Sequence, residues 1–228
     1  MEGSGKAQAE IYDDNVKYRG RRKLKRPSLA TSVFIAATIA LALISISLYG
    51  LAEHRQDSAN RSLNWQVDSL CESIGFAETS LLYSVEENVS VGVRYGSALT
   101  AQILLEGAGD LVYSIRVMFS EDSKESEAFG AVSGALGTVR ISAERMASDY
   151  NDAVTRNITY EYNSTIVSAI SNITDVMEEL RTLIWDGLDI DDLPYSDYGS
   201  TVKNMDLEAI VDVSDQLWRI SRDLNGML

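Results

Sequence analysis

Only one cysteine (Cys71) and one histidine (His54) occur in 228 residues. A single cysteine excludes an intrachain disulfide and any zinc site built on several thiolates. A single histidine excludes a His-pair metal centre and leaves little for a serine or cysteine triad. Proline is nearly as scarce, with Pro27 and Pro194 alone. The proline-free interval between them favours long helices over a turn-rich β fold. No glycine-rich phosphate cradle is present. What remains is apolar enough to bury a core, since 45% of the residues are hydrophobic. At this length, one folded body is expected once any membrane segment is set aside.

Basic residues are also scarce in most of the chain. Residues 1–29 carry eight Lys/Arg against four Asp/Glu, residues 30–52 carry no charge, and residues 53–228 hold 12 Lys/Arg against 30 Asp/Glu. An overall charge of −14 therefore hides a basic tail and a strongly acidic body. An acidic body repels nucleic acid, so no nucleic-acid partner is expected for it.

The uncharged run from Ala30 to Ala52 reads ATSVFIAATIALALISISLYGLA. Its 23 residues compare with the roughly 20 needed to cross a bilayer as a helix. Just before it, Lys17, Arg19, Arg21, Arg22, Lys23, Lys25 and Arg26 place seven cations within ten residues. The positive-inside tendency holds such a tail in the cytoplasm and sends the C-terminal body across the membrane. The same cations would lie against anionic lipid headgroups. The competing readings are a docking site for a cytoplasmic partner on the basic run, and a cleaved secretory signal or a buried core helix for the apolar one. The apolar run exceeds a typical signal core, although Gly50-Leu51-Ala52 is an acceptable cleavage site. Type IV pilins are excluded, because five cations separate Gly20 from the apolar run.

Beyond the membrane segment, apolar residues recur at intervals of three and four. A first series is Val67, Leu70, Ile74, Ala77, Leu81, Val85, Tyr95, Leu99 and Ile103, weak around Asn88 and Gly92. A second is Phe129, Val132, Leu136, Val139, Ala143, Met146, Tyr150 and Ala153. A third is Ile166, Ile170, Ile173, Met177, Leu180 and Ile184. Such spacing marks helix seams packed on other helices. The second and third series do not share a frame, so the polar, β-branched stretch 155–165 must distort or interrupt the helix.

The eight polar residues Ser120 to Glu127 read as a reversal. Doubling back there would set Gly107 and Gly109 against Gly130, Gly134 and Gly137, letting two backbones approach closely. The alternative is a turn at 107–109 itself. Residues 186–203 form an acidic, proline-containing loop, and a last amphipathic helix covers 205–224. The expected fold is all-α: an N-terminal transmembrane helix (30–52) after a basic, disordered tail (1–29). A long antiparallel helical hairpin or coiled-coil bundle of three to four helices (53–228) follows.

Five N-x-S/T sequons lie beyond the apolar run, at Asn60, Asn88, Asn157, Asn163 and Asn172. Nine asparagines and 31 Ser/Thr in that region would give fewer than two by chance, so the excess points to N-glycosylation of an exported body. Ser, Thr and Asn also suit polar helix faces, which is the competing explanation. A glycosylated Asn157 or Asn163 cannot sit in a seam, so the seam must turn or open there. Abundant sequons without paired cysteines suit an archaeal cell envelope better than an animal ectodomain.

Other chemistry is thin. Asp186, Asp189, Asp191, Asp192 and Asp197 offer oxygen ligands for Ca²⁺, but the EF-hand offsets fail and a solvated acidic loop fits better. No pair among the 30 body carboxylates stands out for acid–base catalysis. Cys71, next to Leu70 in the seam, is expected as a buried thiol, the alternative being a disulfide between parallel copies. No catalytic, metal or cofactor residues emerge, and the chain does not read as an enzyme. The expected function is a single-pass, membrane-anchored, extracytoplasmic helical scaffold that binds a protein partner or its own copies. The alternative is a sensor or accessory subunit that signals through a separate partner. The layout of a helical bundle above a membrane helix resembles, in general terms only, the sensory domains of bacterial-type receptors.

Overall fold

The computed structural model describes residues 29–187 and 205–228. Within the first helix, side chains are described at Thr38, over 41–51, at Ser58 and from Ser62 onward. All regular structure among the described residues is α-helical. Five helices are described: α1 (Leu29–Val85), α2 (Val91–Arg116), α3 (Lys124–Arg156), α4 (Ser164–Asp186) and α5 (Leu207–Met227). The chain divides into two compact units, Met1–Gly50 and Leu51–Leu228. Of the first, the structure describes only the beginning of α1. Its side chains over 41–51 are exposed all round, apolar ones included.

The second unit is a helical bundle in which α2 packs antiparallel on α3, and the last helix packs on both α3 and α4. Arg116, near the end of α2, reaches Ser126 and lies against Gly130 near the start of α3. Arg94, near the start of α2, bonds Tyr160 just past the end of α3. On α4, Arg181 lies beside Cys71, Gly75 and Glu78 of α1. Gly187, after α4, meets Met205, just before α5. Asn225 of α5 then bonds Thr138 and Ser142 of α3. The helices surround one apolar cluster running from Leu63 to Leu224.

Each boundary has a local cause. Ser90, Ser123, Asn163 and Asp206 cap α2 to α5, their side-chain oxygens accepting from the N–H of Val93, Ser126, Ile166 and Ala209. Such caps satisfy N–H groups that have no partner within the helix. Glu125 and Glu127 in the first turn of α3 complement its dipole. That helix ends on Asn157 in the left-handed region (φ 53°), with Ile158 N–H returning to Ala153 O and Asn157 N–H to Val154 O. This is the Schellman closure, with asparagine where glycine is commoner.

The second and third seams are buried throughout, as are Ile210, Val213, Leu217 and Leu224 of α5. Two expectations need correction, and one alternative falls. First, the chain reverses at 86–90 as well as at 117–123, so the first series is two helices rather than one. Beyond the turn the buried face passes to Arg94, Ala98, Ala101, Leu105, Ala108, Val112 and Ile115, and Ile103 is 59% exposed. A three-and-four rhythm does not survive a non-helical turn, which resets the frame. Second, the alternative turn at 107–109 falls and the expected continuity holds, because α2 runs unbroken through Gly107-Ala108-Gly109, held by burial of Leu105, Ala108 and Val112 against the core. Third, the glycines do not permit a close approach. A methyl group at Gly107, Gly109, Gly134 or Gly137 would meet nothing within 4 Å. With five described helices, the bundle is also richer than the three to four expected.

Among the described residues no helix is long and apolar enough to cross a membrane. About half of the side chains of the 30–52 run lie outside them. So do the tail, with Lys17, Arg19, Arg21, Arg22, Lys23, Lys25 and Arg26, and the acidic segment 188–203.

Candidate functional site

The turns 86–90 and 157–163 meet at one end of the bundle, and a buried cation joins them. Arg94 is 4% exposed. Its Nε donates to Glu86 O at 3.0 Å, one terminal nitrogen to Glu87 O at 2.9 Å and the other to Tyr160 O at 3.0 Å. The Glu161 carboxylate lies 3.8 Å away, toward solvent. The guanidinium thus gives three charge-assisted bonds to backbone oxygens of the two turns. Its position is set by the frame of α2, one turn before Ala98 on the buried face.

Beside it three tyrosines pack edge to face. The ring centroids of Tyr150, Tyr160 and Tyr162 are 5.1–5.7 Å apart, with interplanar angles of 72–90°. Tyr150 OH donates to Ser84 O at 2.6 Å, tying α3 to the end of α1. Tyr160 and Tyr162 both donate to Asp149 Oδ2, at 3.3 and 3.0 Å. Burial pushes the Tyr150 hydroxyl up to about 12, against the opposing pull of the Arg94 charge. Tyr160 and Tyr162 are also raised, by burial first and then by the Asp149 charge. All three rings are therefore held neutral, as donors.

Four of the five sequon asparagines have described side chains, and all four are exposed. Asn88 lies in the first turn of the clasp. Asn157 and Asn163 bracket the second, where the helix is interrupted as a modified asparagine there requires. The structure brings these three to the same end of the bundle. Asn172 lies apart, on the outer face of α4 between buried Ile170 and Ile173. Asn60 falls within α1, but its side chain lies outside the described residues.

Along the bundle, Arg181 links Cys71 and Glu78. Its Nε donates to Glu78 Oε1 at 3.2 Å, and its carbonyl lies 3.9 Å from the Cys71 sulfur. Burial raises the Glu78 carboxyl against the lowering effect of Arg181, and pushes the Cys71 thiol up to about 12. At 3% exposure, Cys71 is a packed core thiol. It cannot reach a second copy without opening the α1–α4 contact, which removes the intermolecular disulfide. Among the described residues, no group of His, Cys, Asp or Glu could hold a metal ion. Asp186 closes α4, and Asp189, Asp191, Asp192 and Asp197 lie outside the described residues.

Sequence reasoning missed Arg94, the tyrosine cluster and Asp149. One signal was available. The run Thr159-Tyr160-Glu161-Tyr162 places two aromatics in a stretch already marked as a break, and exposed loops rarely spend aromatics without a packing partner. No protein-family model matches the chain, and neither does any curated protein or solved structure.

Proposed function

We propose that this chain is a single-pass, membrane-anchored surface protein whose acidic helical bundle stands outside the cytoplasm as a non-catalytic scaffold for a protein partner. The observation that carries the reading is the state of residues 41–51. Leu41, Leu43, Ile44, Ile46 and Leu48 are each more than half exposed around the full circumference of α1. A helix that is apolar all round requires an apolar surround, and a bilayer supplies one. The cation cluster before it orients the segment and meets anionic headgroups. For the partner surface, Trp65, Phe76 and Tyr83 are exposed on α1. They are spaced by eleven and seven residues, close to three and two helical turns, and so fall on one stripe.

Protease added to intact cells tests the reading. Digestion of the body from outside, with the N-terminal fragment retained in carbonate-washed membranes, is expected. Protection until lysis, or release of the whole chain by carbonate, overturns it.

A further inference from the structure

We infer that the clasped end of the bundle is a glycan cap, with Asn88, Asn157 and Asn163 as acceptors and Asn172 left bare. This rests on the outward orientation proposed above. The co-reactant is a membrane-borne oligosaccharide activated as a polyisoprenoid phosphate ester. The asparagine Nδ2 forms a bond to the anomeric carbon as the bond from that carbon to the phosphate oxygen breaks. The lipid phosphate departs with the bonding pair, and the Nδ2 proton passes to a base of the transferase.

Helix capping is the competing explanation for Asn and Ser at these places, and it accounts for only one residue of each sequon. Ser90 caps α2, Asn157 closes α3 and Asn163 caps α4. Their companions Asn88, Thr159 and Thr165 are exposed and serve no cap. The capping geometry also leaves the reacting atom open. Asn163 accepts from Ile166 N–H through Oδ1, at 3.0 Å, so Nδ2 remains available with the cap intact. Asn88 and Asn157 lie in turns, where a transferase can draw three residues into its groove without unwinding a helix.

Asn172 differs in every respect but exposure. Ile173 is 1% exposed in the core, and Thr174 is 5% exposed with its hydroxyl donating to Ser171 O at 2.8 Å. The hydroxyl that must be read by the transferase is turned into the bundle. Presenting this sequon requires pulling Ile173 from the core and unwinding the middle of α4. The fold therefore selects the two turn sequons and the one at the start of α4 over the one in the middle of that helix.

Glycopeptide mass spectrometry of the full chain, purified from membranes of cells that produce it natively, tests the assignment. Expected are occupied peptides at Asn88, Asn157 and Asn163 and an unoccupied one at Asn172. The combined variant Asn88→Gln, Thr159→Ala, Thr165→Ala should lose three glycan masses while keeping Ser90, Asn157 and Asn163 as caps. Thr159→Ser should retain its glycan, and Asn172→Gln should change nothing. Bare turns on a body that protease digests from outside overturn the cap while leaving the orientation standing, and so does Asn172 occupied as fully as the turns. A body that protease cannot reach overturns both.

Discussion

Replacing Arg94 by methionine isolates what holds the two turns together. Three charge-assisted hydrogen bonds disappear, and bonds of that kind contribute about 1.5–3 kcal/mol each. The full sum overstates the loss. Glu86 and Glu87 are exposed, so water takes over their carbonyls, whereas Tyr160 is half-buried and its carbonyl is resolvated less well. Methionine keeps the apolar stem packed and removes the cost of holding a charge out of water. The net is about 3 kcal/mol of lost stability, which for a body of this size lowers the melting temperature by roughly 6–12 °C. Thermal unfolding of the full chain in detergent, followed by circular dichroism, measures this. Arg140→Met is the control, because its exposed pairing with Glu144 on the same helix is worth under about 0.5 kcal/mol. Hydrogen exchange should quicken at 86–90 and 157–163 before the rest of the bundle. A loss below about 1 kcal/mol, no larger than the control's, would refute the guanidinium clasp.

Other consequences follow from the same geometry. Tyr150 titrates near 12 in the folded chain against 10.0 unfolded. Its contribution is therefore complete below pH 10 and is lost between about pH 10 and 12, by up to about 1.4 kcal/mol per pH unit. Denaturant midpoints across that interval should fall steeply in the native sequence and less in Tyr150→Phe, and a flat profile would contradict the burial argument. Gly107→Ala, Gly134→Ala and Gly137→Ala should each stabilise by about 0.5–1 kcal/mol, because a methyl group there meets open space and the unfolded chain loses freedom. Destabilisation on chemical denaturation would mean that another surface presses on those backbones. Cys71 should resist maleimide in the native chain and react on unfolding, given its burial and raised thiol pKa. Fast labelling of the native protein would show that the α1–α4 contact opens.

The helical class and three of the four internal seams were legible because α3, α4 and α5 keep one apolar frame from cap to cap. Ser90 and Asn163 stood in view as polar residues before apolar runs, but capping also needs the frame that follows. The first seam was misread at that point. Carried past Val85, the rhythm lands on Tyr95, Leu99 and Ile103. The turn at 86–90 rotates the burial onto Ala98, Ala101 and Leu105, and puts Arg94 inside. An arginine on a buried face is invisible to apolar periodicity, and so is the site it organises. The tyrosines were hidden for a related reason. Tyr160 and Tyr162 are far in sequence from Ser84 and Arg94, and only the folded chain brings the two turns together. The glycines misled in the opposite sense. Their facing positions across the α2–α3 reversal were inferred correctly in register, since Arg116 does lie against Gly130. Register says nothing about which side of each helix the glycines occupy.

Charge separates the two kinds of partner that the proposed scaffold could take. The body carries 30 acidic against 12 basic residues, and few of its acids are neutralised by another helix. Of the described ion pairs, Arg140–Glu144, Arg156–Asp152 and Arg181–Glu178 each lie within one helix and Arg222–Asp223 joins neighbours. Only Arg181–Glu78 links two helices, while Arg94–Glu161 links a helix to a loop. Among the described residues, most of the remaining carboxylates are exposed, and parallel copies of the same bundle would bring them together. Repulsion of that kind is screened over about 8 Å at physiological salt, so it weakens but does not vanish at side-by-side distances. A partner with a basic face meets no such penalty and gains from steering during encounter. The exposed Trp65, Phe76 and Tyr83 stripe then supplies apolar contact within an acidic surround, a combination that suits a cationic partner better than a second copy.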